Sequence, residues 1–263
     1  MNDIWTIHAY FAEQSNERLN FVNHQPQQII LAGADGNHSH RLLSARYPQA
    51  QFHEYDDNAD FLHLAANERQ SGWLAKLRGK TVSQTCQSQT APLPEASCDM
   101  LWSNLALTRA DAALPVLRNW AHALKTHGLL FFTCFGRDSL ADLIALLNAH
   151  GIACQSTRFL DMHDIGDMLA DSGFYDPVMD SAKLQLDYRS PENFWQDLNT
   201  LGVWQALEFT DEAQRQHAQN LLNQYIADGI SITLEAVFGH AVKKLVLPEG
   251  ESPVQFMPYR KQS

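Results

Sequence analysis

The stretch from Pro26 to Pro48, PQQIILAGADGNHSHRLLSARYP, decides how the rest of the chain is read. An apolar burst, Ile29-Ile30-Leu31, runs into a glycine-bearing loop, AGADGNHS at 32–39, and then into a helix-like run, RLLSARY at 41–47. Strand, glycine turn and helix together let backbone amides at a helix N-terminus meet a nucleotide-like ligand. The usual third glycine is missing, and Asp35 stands inside the loop. Two readings are open: an altered ligand loop, or a plain Asp35-Gly36 turn in a sheet that binds nothing.

Outward from this unit, strands and helices alternate. A helix over 6–24 precedes it and ends before Pro26. Strands are expected at 28–32, 51–57, 80–90, 98–107 and 129–136, and helices at 39–47, 58–77, 114–128 and 138–151. The run LLFFTCFG at 129–136 is the most strongly apolar strand in the chain, as a strand buried on both faces requires. Such alternation predicts an α/β fold, a mostly parallel sheet covered by helices on both faces. Further on come a helix stopped at Gly173, a strand over 178–188, helical stretches near 191–201 and 211–227, and a final strand from Ile230. The reading is one domain over 1–250. A helical insertion at about 188–230 lies over the sheet's carboxyl edge as a lid, and 251–263 form a loose tail.

Composition narrows the function. The 263 residues carry 30 acids against 19 Lys and Arg, a formal charge of −11 that opposes nucleic acid and anionic membrane as partners. No apolar run of membrane-spanning length and no signal peptide is read, and the four scattered cysteines suit a reducing, cytoplasmic setting. Twelve histidines occur without H-E-x-x-H or comparable spacing, so no metal site is expected.

The glycine loop, an acid closing the second strand and LPEASCD before the fourth together resemble class I S-adenosylmethionine-dependent methyltransferases. Five segments sharpen this: DMLWSNLAL, LLFFTCFGRDSLADL, FLDMHDIGDMLADSGFYDPVMD, LQLDYRSPENFWQDLNTLG and TLEAVFGHAVKK. They resemble the malonyl-ACP O-methyltransferases of biotin synthesis over about residues 17–244. The third is similar, less closely, to a mitochondrial complex I assembly factor of the same fold. The resemblance implies a Rossmann-like seven-stranded sheet with an antiparallel last strand and a helical insertion before it. It implies S-adenosylmethionine as cofactor, a malonyl group on acyl carrier protein as substrate, and methylation of its free carboxylate. A methyl ester hides a charge that an apolar acyl pocket would not accept. The carboxylate is already a nucleophile at neutral pH, so placement rather than a general base supplies the rate.

The implied site residues follow by position. The family's three loop glycines fall on Gly33, Asp35 and Asn37, with Leu31 where an acid is common. Asn37 tolerates left-handed backbone. Asp56, closing QFHEYD, stands where an acid takes the ribose hydroxyls, with Glu54 as the alternative register. Gln87 falls where an aspartate meets the adenine amino group; its amide oxygen can accept the same bond. Ser103 and Asn104 complete the cofactor set, and Arg109 replaces a common aromatic residue beside it. Arg189 and then Arg137 are the candidates for gripping the substrate carboxylate, where an arginine fork fits. Surface cations and helix caps are the plain alternatives, and a non-catalytic binding or regulatory subunit is the alternative to the enzyme.

Overall fold

A computed structural model describes residues 4–70 and 82–245. The end of the expected 58–77 helix, the start of the 80–90 strand and the tail at 251–263 lie outside the described residues. In chain order come α1 (Thr6–Arg18), β1 (Gln28–Ala32), α2 (His38–Arg46), β2 (Gln51–Asp56), α3 (Ala59–Gln70), β3 (Ser83–Cys86), β4 (Cys98–Asn104) and a 3-10 turn (Ala106–Arg109). Then follow α4 (Ala113–Ala123), β5 (Leu124–Phe135), α5 (Ala141–Ala149), β6 (Cys154–Gln155), α6 (Met162–Asp171) and β7 (Phe174–Tyr188). The last elements are α7 (Pro191–Thr200), β8 (Glu208–Phe209), α8 (Glu212–Asp228) and β9 (Ile230–Lys243).

Seven strands form one sheet in the order β3-β2-β1-β4-β5-β9-β7. The first five run parallel, and β9 is antiparallel to both neighbours, which is the topology the sequence implied. Period-two alternation divides the core. Ile29, Leu31, Met100, Trp102, Leu129 and Phe131 share a cluster with Leu43 of α2. Ile30, Leu101, Leu130 and Phe132 share another with Trp120 of α4 and Ile165 of α6. Each fully buried side chain of this size contributes roughly 1.5–3 kcal/mol, so the central strands anchor both layers.

Several boundaries differ from the sequence reading: the first helix ends at Arg18 rather than 24, β7 begins at Phe174 rather than 178, and two further shifts shape the scaffold. The helix expected to reach Gly128 stops at Ala123, because Leu124 already pairs with Cys98 before a register shift in the β4–β5 ladder. The strand expected to reach Leu107 stops at Asn104, where Leu105 takes φ +63° and turns the chain into the 3-10 segment.

Beyond the end of β5, which pairs through Phe135 with Ala236, β7 and β9 continue as a two-stranded ribbon. Helices α7 and α8 pack on that ribbon, placing Phe194, Leu198, Leu222 and Ile226 in one cluster with Leu234 and Phe238. Ser190 and Asp211 cap the two helices, accepting from the amides of Asn193 (3.4 Å) and Gln214 (2.8 Å). β1 and β4 are adjacent, while their chains continue to opposite sides of the sheet. The loops leaving their carboxyl ends therefore face each other across a topological switch point, where ligands of open α/β sheets bind.

Candidate active site

The two loops at the switch point touch directly. Gly33 has φ +106°, and a Cβ there would lie 2.4 Å from the Cβ of Ala106, so only glycine lets the β1 and β4 loops close on one another. Its amide donates to Tyr55 O (2.7 Å) at the end of β2. Gly36 (φ +67°) is pressed against Trp5, whose Cδ1 would be 2.4 Å from an added Cβ. Asn37 does adopt the left-handed conformation, φ 77°, and its Oδ1 lies 2.9 Å from His40 Nδ1.

Asp35 is turned inward. It is 1% exposed and accepts from Ser39 N (3.1 Å), Ser39 Oγ (2.6 Å) and Asn104 Nδ2 (2.8 Å). Asn104 in turn donates to His8 O (2.9 Å) and accepts from Thr133 Oγ1 (3.1 Å). Both residues thus tie the loop, α1, β4 and β5 together beneath the site. Ser103 is buried on β4 with no hydrogen-bond partner for its Oγ, away from the cavity walls.

Asp56 is the strand-end acid that faces the cleft. Its Oδ2 accepts from Ala34 N (2.7 Å) and Arg109 Nη2 (2.6 Å), and its Oδ1 from Asn58 N (2.7 Å) and Arg109 Nη1 (3.1 Å). Glu54, the other register, is instead held by Arg69 Nη2 (2.7 Å) and Gln84 Nε2 (2.6 Å). Burial would lower the Arg109 pKa, but the Asp56 and Asp57 carboxylates outweigh it and raise it. Nearby His8 is buried, and burial, followed by the charges of Arg109 and His38, lowers its pKa to about 3.

Gly33, Asp56 and Gln87 line one small cavity of about 20 Å³ with Tyr55, Gln89 and Arg109. Gln87 Nε2 donates to Ala91 O (3.3 Å), so the acceptor left on that side chain is its oxygen. The sequence reading missed Gln89. Its Oε1 is buried without a hydrogen-bond partner, although Nε2 donates to Ala106 O (3.2 Å). No period could have found it: β3 ends at Cys86, and Gln89 stands in a turn closed by the Ala91 amide on Ser88 O (2.9 Å). A buried acceptor without a donor on a cavity wall fits the exocyclic amino group of a purine.

A larger cavity of about 240 Å³ lies across the 3-10 turn, lined by Leu107, Ala110, Cys134, Ile165, Met168 and Arg158 among others. Arg158 pairs with the exposed Asp111 (2.8 Å). Arg137 and Arg189, the cations expected from sequence, are both exposed and line neither cavity. Arg137 lies within electrostatic reach of Asp161, and Arg189 Nε lies 3.7 Å from the Cβ position of Gly229 at the root of β9. No His/Cys/Asp/Glu group suited to a metal occurs among the described residues.

By sequence, the chain is 32% identical over 257 residues to the malonyl-[acyl-carrier protein] O-methyltransferase of Methylovorus sp. (strain MP688), covering 94% of this chain and 86% of that one. The chain belongs to the malonyl-[acyl-carrier protein] O-methyltransferase family. The member from Gallionella capsiferriformans (strain ES-2) is 33% identical over 235 residues, 86% of this chain and 80% of its own. No general protein-family profile matches the sequence. The fold is shared with the YcgJ protein of Bacillus subtilis, at TM-score 0.59 and 15% identity over 89% of this chain and all of that one. A Haemonchus contortus phosphoethanolamine N-methyltransferase, solved with S-adenosylhomocysteine, aligns at TM-score 0.55 and 17% identity over 89% of this chain and 53% of its own. As a member of this family the chain is a class I methyltransferase whose cofactor is S-adenosylmethionine. The residues lining the small cavity would suit that cofactor's adenosine half: Asp56 is the acid at the end of β2, and the Gln87 and partnerless Gln89 oxygens are acceptors.

Proposed function

We propose that this chain methylates the free carboxylate of a malonyl thioester carried on acyl carrier protein, in the cytoplasm, as a step toward biotin. The observation that carries the reading is the 32% identity across 94% of the chain. Among the described residues no helix is long and apolar enough to cross a membrane.

The bound cofactor supplies an electrophilic methyl group. The protein's part is placement. Asp56 and the two glutamines orient the adenosine half, while the wall from Leu105 to Ala110 separates that half from the 240 Å³ cavity. The apolar lining of that cavity excludes water from an acyl chain, and Arg158 at its rim offers a fork to a carboxylate in exchange for the exposed Asp111. Arg158 is thus proposed ahead of Arg137 and Arg189 for the substrate carboxylate. The helical insertion over about 188–230 acts as the lid.

The test is methyl transfer to malonyl-acyl carrier protein with purified components. Arg158→Ala is expected to lower kcat/KM by about 30-fold, the roughly 2 kcal/mol lost with one partner of a charge pair. The same loss in Arg189→Ala but not Arg158→Ala would move the assignment. A second reading, a binding subunit without turnover, draws on the Arg109 fork that fills half of Asp56. Product formation above the no-enzyme rate removes it.

A further inference from the structure

We propose that Arg109 is a latch on the cofactor cleft, its guanidinium standing on Asp56 where a ribose cis-diol must bind. The inference rests on the reading that Asp56 receives the ribose. A carboxylate has about four lone-pair positions, and all four on Asp56 are taken. Two are filled by the amides of Ala34 and Asn58, which cannot leave without reshaping the loops that build the site. The other two are filled by the tips of one flexible side chain. The diol and the fork therefore exclude one another.

The latch has somewhere to go. Arg109 Nη1 already lies 3.2 Å from Oδ1 of Asp57, whose side chain is 39% exposed against 0% for Asp56. A rotation of the guanidinium exchanges a buried carboxylate for a solvent-facing one without stranding the charge. Its carbon sits 5.2 Å from the Phe61 ring centre, a face along which the group can slide. The stem is held as well. A Cβ on Gly202, just after α7, would lie 2.5 Å from Arg109 Cγ, so the insertion's first turn leans on the same side chain that closes the cleft. The small cavity beside the pair has room for about one water rather than a purine while the latch is shut.

The experiment is calorimetric titration of the purified wild-type chain, Arg109→Gln, Arg109→Lys and Asp57→Asn with S-adenosylhomocysteine, with melting temperatures taken free and saturated. Arg109→Gln is expected to bind at least tenfold tighter than wild type. Arg109→Lys, with a point charge in place of a fork, falls between them, and Asp57→Asn binds severalfold weaker because the guanidinium loses its second carboxylate. The free melting temperature of Arg109→Gln falls, and ligand raises it by more than in wild type. Equal or weaker binding by both Arg109 variants overturns the latch; a merely structural arginine would lower free and saturated melting temperatures alike. No heat from any of the four proteins at millimolar ligand overturns the ribose assignment itself, and the latch with it.

Discussion

Two buried aspartates, one in the β1–α2 loop and one at the end of β2, sit at the same carboxyl edge. Asp35 is satisfied by groups that belong to the scaffold: a helix amide, the Ser39 hydroxyl and the Asn104 amide. Asp56 is satisfied half by loop amides and half by a removable cation. The first departs from the family's glycine pattern yet has been absorbed into the framework, where its charge meets a helix N-terminus. The second, at the end of β2 and on the cavity wall, is the one that is covered. A missing glycine at position 35 therefore says less about the cleft than Arg109, which reaches Asp56 from 53 residues further along the chain.

Removing each carboxylate is the sharpest way to break this contrast. Asp56→Ala leaves Arg109 buried without its main partner and orphans two amides. It should cost about 3–5 kcal/mol in denaturant unfolding and abolish S-adenosylhomocysteine binding.

Acid separates the two regions less sharply. His8, by Asp56 and Arg109, has its pKa lowered by burial to about 3, and His40, by the Asp35 loop, has its own lowered mainly by burial to about 4. Unfolding restores a pKa near 6.5, so the unfolded chain binds protons that the native one refuses. Their stability contribution is complete above pH 6.5 and lost as pH falls through that value toward the folded pKa. Between pH 8 and pH 5 the loss should be about 2 kcal/mol for His8 and somewhat less for the partly exposed His40. Denaturation curves of His8→Asn and His40→Asn against pH would show it; a wild-type profile flat to pH 5 would refute it.

Asp35→Gly restores the glycine and should have the smallest effect on ligand affinity. It strips acceptors from Ser39 and Asn104 at about 1–3 kcal/mol, yet leaves S-adenosylhomocysteine affinity within about threefold because the carboxylate is not on the cavity wall. Tenfold tighter binding would show that Asp35, not Arg109, is the obstacle.

The sheet was legible because its strands carry their own signal. Leu129–Phe135 is apolar but for Thr133, and Gln28–Ala32 nearly so, whereas the N-cap residues of α2, α4 and α5 make no side-chain cap and those helices were read from their spacing. The two-residue strands β6 and β8 were not read, since a pair such as Cys154-Gln155 has no period to detect. In the site, Gly33, Asp56 and Gln87 were placed by position in a motif and do meet at one cavity. Gln89 was not, because it sits in the turn after β3, where no strand period applies. Nor was the Arg109–Asp56 pair, because nothing local in either segment says which distant charge it will meet. Likewise Arg158 carries no spacing signal. Only the packing of α6 against the β4 turn puts it at a cavity rim.

Trp5 gives the molecule a built-in optical reporter. Its indole is 4% exposed and lies edge-on to His8 at 5.0 Å and to Phe61 at 4.8 Å, directly against Gly36 of the cofactor loop. The emission of that one ring records whether the first helix rests on the loop or has lifted from it. Opening of the cleft can thus be followed by light alone, on the unlabelled protein, once the other five tryptophans are held constant by a Trp5→Phe reference.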